Sequence, residues 1–182
     1  MEFVKSKIEG LIIIKPKVFE DARGYFFESY NYNYFREAGI NVLFLQDNQS
    51  KSNKNVIRGL HFQKSPFAQG KLVRVIKGAV LDVAVDIRIN SPYYGKWEMH
   101  ELSEKNKLMF YIPPGFAHGF LTLEDDTIFA YKCTNFYSKV SEGIIAWNDP
   151  ILNINWGIQN PILSERDSNA PLFKDFVSPF TY

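Results

Sequence analysis

Apolar and polar residues alternate along much of this chain with the two-residue period of a β-strand. The clearest case is "VLDVAVDIR" (Val80 to Arg88), where Leu81, Val83, Val85 and Ile87 alternate with Asp82, Ala84, Asp86 and Arg88. That pattern predicts a strand with one face in the core and the other polar. "LVRVIKG" (Leu72 to Gly78) precedes it, and Lys77-Gly78 reads as a tight hairpin turn between the two. "KLMFYIPPGFAHGFLTL" (Lys107 to Leu123) predicts two more strands around the corner Pro113-Pro114-Gly115. One segment reads as a helix, "NYNYFREAG", with Asn31 as its cap and Gly39 at its C-terminal stop. After Trp147 the prolines Pro150, Pro161 and Pro171 forbid long regular elements, so this tail is expected to wrap around the rest.

Composition narrows the class. A chain of 182 residues builds one ordinary core, so a single domain over 1–182 is expected. Aromatics at 16% favour strands over a helical bundle, and the spacing of Pro and Gly suits a meander or Greek key. Lys and Arg (21) nearly cancel Asp and Glu (20), so no overall field draws in nucleic acid or an anionic membrane, and any anion must be caught locally. The single cysteine, Cys133, excludes an intramolecular disulfide framework, and the apolar run Leu11 to Ile14 is too short for a signal-peptide core or a membrane span. A soluble, cytoplasmic protein is expected.

Candidate chemistry begins at "RGLHFQ" (Arg58 to Gln63). Strand alternation puts His61 and Gln63 on one face and Leu60 and Phe62 on the other, so the imidazole is not on the greasier side. Gly59 is placed to host a bulge, which turns Arg58 toward the same side as His61. Alone, a strand histidine is more often a hydrogen-bonded structural residue. A second histidine, His118, follows the Pro-Pro-Gly corner in Pro113-x-Gly115-x-x-His118, a spacing that resembles the second motif of cupins, small jelly-roll barrels in which it places a side chain inside the barrel. Metal-binding cupins also carry His-x-His in their first motif, but this chain has His61-Phe62-Gln63, and an amide is a poor replacement for an imidazole ligand. No metal and no other cofactor is expected.

"DARGYFFE", "QDNQS", "RGLHFQ", "AQGKLVRV", "PPGFAHGF", "YKCTNFY", "EGIIAWNDP" and "LSERD" follow one another in that order from about Lys15 to Asp167. This series resembles the dTDP-4-dehydrorhamnose 3,5-epimerase family, metal-free cupins that invert carbons of nucleotide-linked 4-keto sugars in rhamnose synthesis. The resemblance implies a mainly β, cupin-type jelly-roll barrel with short peripheral helices, acting on a dTDP-linked 4-keto-6-deoxyhexose. It implies His61 as base, Asp167 as the carboxylate that holds the ring, Lys71 as the cation facing the C4 oxygen, and Tyr131 as the acid on the opposite face of the sugar. For Asp167 a second reading competes, because Ser164-x-x-Asp167 is also a capping-box pattern. The resemblance further implies that Arg23, Glu28, Gln46, Asp47, Asn48 and Arg58 bind substrate, the arginines being natural partners for pyrophosphate, and that His118 and Glu142 line the same site. Arg166 stands where the family commonly has a lysine that meets phosphate. Phe19, Phe26 and Tyr137 are candidates to stack on the base. A homodimer is implied, with Arg23 and Glu28 reaching the neighbouring subunit.

Three other functions compete. A related enzyme on the same substrates would invert one centre only, or move the carbonyl as a ketoisomerase. A non-catalytic sugar-nucleotide-binding cupin would lack the base or the acid, and both are present. A metal-dependent cupin oxygenase is disfavoured by Gln63.

Overall fold

The computed structural model describes all 182 residues, Met1–Tyr182. In chain order the elements are β1 (Glu2–Lys5), β2 (Ile12–Lys15), β3 (Phe19–Asp21), β4 (Gly24–Phe26), α1 (Tyr32–Glu37), β5 (Gln46–Ser52), β6 (Ile57–Gln63), β7 (Lys71–Lys77) and β8 (Ala79–Asp86). There follow β9 (Arg88–Ile89), β10 (Trp97–Ser103), β11 (Met109–Ile112), β12 (Phe116–Thr122), β13 (Thr127–Cys133), β14 (Glu142–Ile144), α2 (Glu165–Ser168) and β15 (Phe180–Thr181). The fold is mainly β, as the alternation predicts. The one predicted helix is present, with the Asn31 side chain accepting from the Asn33 N–H and the chain leaving at Gly39 with φ +89°. No helix is long and apolar enough to cross a membrane.

Two sheets carry the architecture. A six-stranded sheet runs in the order β1-β2-β11-β7-β13-β5, and a five-stranded sheet in the order β10-β8-β12-β6-β14. All ladders within them are antiparallel. The core between them takes Val73, Val75, Phe110, Ile112 and Phe129 from the first sheet and Val80, Ala84, Leu102, Phe116 and Phe120 from the second. This is the jelly-roll arrangement of a cupin.

The hairpin expected at Lys77-Gly78 is not formed. β7 pairs with β11 and β13, while β8 pairs with β10 and β12, so the turn carries the chain from one sheet to the other. Gly78 is required at this corner because its φ is +82° and a Cβ would sit 2.5 Å from Thr127 Oγ1. The Pro113-Pro114-Gly115 corner passes between sheets in the same way, from β11 to β12. Local pattern marks a strand and a turn, but the partner of a jelly-roll strand lies far along the chain.

The polar face predicted for β8 also lies elsewhere than in solvent. Asp82, Ala84 and Asp86 are fully buried, and Ala84 belongs to the core between the sheets. The apolar positions Val83, Val85 and Ile87 face outward with Leu60, Phe62, Ala117 and Leu121, under a second cluster supplied by the tail residues Leu152, Ile154, Trp156 and Phe173. The tail wraps as expected, and Trp97 Nε1 donating to the Leu152 carbonyl at 2.8 Å and Trp156 Nε1 to that of Trp147 at 2.8 Å help fix it. The five-stranded sheet is thus covered on both faces, and its less greasy face looks into the molecule.

Candidate active site

β6 and β12 set the register of the site. His61 pairs with His118 and Arg58 with Phe120, so β6 advances three residues where β12 advances two. The extra residue is the bulge expected at Gly59, and it turns Arg58 to the face that carries His61. Only glycine fits there, because a Cβ on Gly59 would lie 2.5 Å from the Cα of Gly119. On the other side, Phe62 lies flat over its cross-strand partner Gly143, where any Cβ would collide with the ring. The two contacts fix β6 between its neighbours and aim its polar side chains inward.

A cavity of about 170 Å³ opens beside β6. Its wall includes His61 from the five-stranded sheet, Lys71 from β7, Tyr131 from β13, Gln46 and Asn48 from β5, and Glu142 from β14. His61 and Tyr131 therefore stand on opposite sheets with the cavity between them.

His61 keeps a third of its side chain accessible, and its Nε2 lies 2.6 Å from Asp167 Oδ1. Asp167 is buried at 4% exposure and comes from α2, a single turn in the tail. Ser164 caps this turn by accepting from the Asp167 N–H at 3.1 Å, and its hydroxyl donates to Asp167 Oδ2 at 2.8 Å. The cap and the histidine contact, alternatives in the sequence, coexist: the cap holds the carboxylate that the histidine needs. Burial pushes the Asp167 carboxyl up, but His61 (by hydrogen bond and charge), Ser164 and Arg166 together bring it below its ordinary value.

Lys71 makes no ion pair, and its ammonium faces the cavity. Burial pushes its pKa down, against the pull of Cys133, Asp82 and Glu142. Tyr131 is pushed up by burial, with Cys133 and Glu142 adding to the shift and Arg58 opposing it. A cation held in a water-poor cavity is poised to meet developing negative charge, and a phenol kept protonated is poised to give up a proton on demand.

The remaining predicted site residues divide. Gln46 and Asn48 face the cavity and are joined at 3.0 Å, Gln46 also accepting from the Tyr137 N–H at 2.9 Å. Asp47, between them, does not reach the cavity: β5 alternates, and Asp47 points to the outer face, where Lys132 binds it at 2.9 Å. Glu142 accepts from Arg166 at 2.6 Å and from the Tyr137 hydroxyl at 3.1 Å. Arg58 lies outside the cavity wall; it is exposed, and its Nε donates to Ser52 Oγ at 3.1 Å. His118 is not among the cavity-wall residues; it is buried at 6% exposure, with Nε2 at 3.0 and 2.9 Å from the two oxygens of the fully buried Asp82. Arg23 and Glu28 are also away from the cavity of their own chain. The β3–β4 hairpin pairs only with itself, Arg23 is bound to Asp21 at 2.6 Å with its side chain 90% exposed, and Phe19 and Phe26 are exposed as well.

Two further residues, one on the cavity wall and one outside it, have roles the sequence did not reveal. Gln63 is buried, with Nε2 donating to the Phe67 and Phe136 carbonyls at 2.7 and 3.1 Å and Oε1 accepting from the Ser138 N–H at 2.8 Å. Its amide ties together the two loops at the cavity rim, a task for which an amide suits better than an imidazole because it donates and accepts at once. Asp82 was hidden in the polar face of β8, where alternation alone reads as solvent-facing.

Comparison with known proteins points to one family of sugar-nucleotide epimerases. The family model described as dTDP-4-dehydrorhamnose 3,5-epimerase matches residues 5–175. A protein of that name from Salmonella typhimurium is 55% identical over 174 residues, covering 94% of this chain and 95% of the relative. The crystal structure of the dTDP-4-dehydrorhamnose 3,5-epimerase from Elizabethkingia anophelis is 54% identical, covers 96% of this chain and 97% of that one, and superposes with a TM-score of 0.92. A 3,5-epimerase from Legionella pneumophila, solved in complex with dTDP-4-keto-L-rhamnose, is 47% identical over 95% of this chain and 93% of that one, with a TM-score of 0.91.

Proposed function

The chain belongs to the dTDP-4-dehydrorhamnose 3,5-epimerase family, and from that premise we propose how its own residues divide the work. The protein is an isomerase that converts dTDP-4-dehydro-6-deoxy-D-glucose to dTDP-4-dehydro-L-rhamnose in dTDP-rhamnose biosynthesis. The hydrogens at C3 and C5 are acidic because the C4 ketone accepts the electrons of the broken C–H bond as an enolate. His61 takes each proton, and the resulting imidazolium is balanced by Asp167, which holds Nε2 and leaves Nδ1 for the substrate. Lys71 faces the enolate oxygen. Tyr131 delivers a proton to the carbon from the other side, and the electrons return to the ketone. Each centre is inverted with the sugar's proton count unchanged, and His61 and Tyr131 are reset between centres as the imidazolium gives its proton to solvent and the phenolate takes one up.

The observation that carries this reading is the placement of His61 and Tyr131 on opposing sheets across one cavity. A single base would return the proton mostly to the face it left. Gln46, Asn48, Glu142 and Arg58 are assigned to substrate binding, with Arg166 orienting Glu142 through their 2.6 Å ion pair. Arg23 and Glu28 serve the neighbouring subunit of a homodimer. The support is the β3–β4 hairpin, which projects Phe19, Tyr25 and Phe26 at 54%, 57% and 65% exposure and leaves its arginine outside its own cavity. All 182 residues act as a single domain, and the lone buried thiol Cys133 suits a reducing cytoplasm.

Proton NMR of the 4-keto substrate in D₂O tests the chemistry. Loss of both the C3 and C5 signals, with the L-lyxo product trapped by a reductase, is expected. Exchange at one carbon would make the protein a one-centre epimerase, and exchange at neither would overturn catalysis. Light scattering tests the dimer, and a monomer that is fully active would refute the role given to Arg23.

A further inference from the structure

Asp167 reaches His61 from an irregular tail, so something other than regular secondary structure must place it. Upstream, the tail is tied to β6 at Ile162, whose N–H donates to the Asn55 carbonyl at 2.8 Å and whose carbonyl accepts from Ile57 at 3.1 Å. Downstream, the Pro171 carbonyl accepts from the Ala146 N–H at 2.9 Å, and the Phe173 N–H donates to Asp149 Oδ2 at 2.7 Å. Asp149 is buried at 1% exposure and has no cation beside it. Its other oxygen accepts from the Ile151 and Leu152 N–H groups at 2.8 and 3.0 Å. One carboxylate thus folds its own turn with Oδ1 and clamps the returning tail with Oδ2. The turn it belongs to lies five residues beyond the end of β14 at Ile144, the residue that pairs with His61 of β6.

We propose that Asp149 is a positioning residue for the reaction: by clamping the chain at Phe173 it holds the one-turn helix that presents Asp167 to His61. This rests on the assignment of His61 and Asp167 as a working pair. Asp149 touches no cavity residue and acts only through the tail. The charged and titratable groups around the pair are Lys71 from β7, Tyr131 from β13, Glu142 from β14, His118 from β12 and Arg166 from α2, and none of them bonds to Asp149. A buried carboxylate bonded to three backbone N–H groups is costly to strip of one partner, so the clamp has a single favoured geometry. Catalysis is sensitive to that geometry, since a displacement of about 1 Å at a catalytic group can cost on the order of 10²-fold in rate.

The test is a double-mutant cycle between Asp149 and Asp167, read as kcat and KM in enzyme that circular dichroism shows to be folded at the assay temperature. Asp149→Asn keeps an acceptor for the local turn and faces the Phe173 N–H with an amide. Asp149→Ser is the second variant, since a hydroxyl preserves the turn through Ile151 and is too short to reach Phe173. The expected result is a fall in kcat of about 10- to 10²-fold with KM unchanged, and no further fall when the same change is made in Asp167→Asn. An equal loss in both backgrounds, or no loss in the native background, would overturn the proposal. If Asp167→Asn alone leaves kcat at the native value, the pair itself is wrong and the inference falls with it, an outcome distinct from failure of the clamp.

Discussion

Two histidine–aspartate pairs lie side by side on paired strands, and they differ in almost every respect that matters for chemistry. His61 and Asp167 meet at 2.6 Å with the imidazole a third exposed to the cavity, whereas His118 and Asp82 meet at 2.9 Å with side-chain exposures of 7% and 0%. Burial pushes the His118 pKa down, with Lys71 and His61 adding to the shift and Asp82 resisting it. The carboxylate of the open pair arrives from the tail, while that of the sealed pair sits on β8 beside its partner strand. On the proposed assignment, the same two residue types give a base where the ring reaches a cavity and a buried, hydrogen-bonded pair where it does not. Access to substrate, more than the pairing itself, separates the two.

The largest break in that comparison is expected from His61→Asn, which removes the base and should lower kcat by about 10²- to 10⁴-fold while leaving the thermal midpoint near that of the native enzyme. Retained turnover would reject His61 as the base. Tyr131→Phe should reduce product formation by about 10²-fold and reduce C3 and C5 proton exchange in D₂O much less, because exchange needs only the histidine. Equal losses by NMR would return Tyr131 to packing. His118→Leu reverses the weighting: it strands the buried carboxylate of Asp82 and should cost about 3 kcal/mol of stability in urea unfolding. A kcat loss with unchanged stability would instead place His118 on the substrate wall, as the sequence led us to expect.

A subtler effect separates the pairs by pH. The Asp167 carboxyl is held below its ordinary value of 3.8, so its contribution to stability is complete above that value and is lost as pH falls through the lower, folded one. The stability difference between the native protein and Asp167→Asn should accordingly be full at neutral pH and shrink below about pH 4, which denaturation at a series of pH values will show. A difference independent of pH would mean that the carboxylate gains nothing from His61. The smallest change is expected at Asp47→Ala, on the outer face of β5, with KM unchanged and stability altered by less than about 0.5 kcal/mol.

How far the sequence could be read depended on how local each feature is. The helix at Asn31 and the bulge at Gly59 were legible because capping and the φ freedom of glycine act within a few residues. Gln63 was legible only as an argument against a metal, since its role depends on two loops that come together at the cavity rim. Asp47 lies on the other face from Gln46 and Asn48 because three consecutive residues of a strand cannot share a face, a rule their shared motif does not show.

The sequence by itself determined that this is a chain of short alternating strands with an irregular tail, that His61 lies off the greasy face of its strand, and, through its ordered motifs, which family it belongs to. Tertiary structure alone decided that β7 and β8 part to different sheets, that the polar face of β8 looks inward, and that the buried Asp82 meets His118. The reason is physical: alternation reports which side chains share a face, but not what covers that face. In a jelly roll the cover comes from a distant strand and, here, from the last thirty or so residues of the chain.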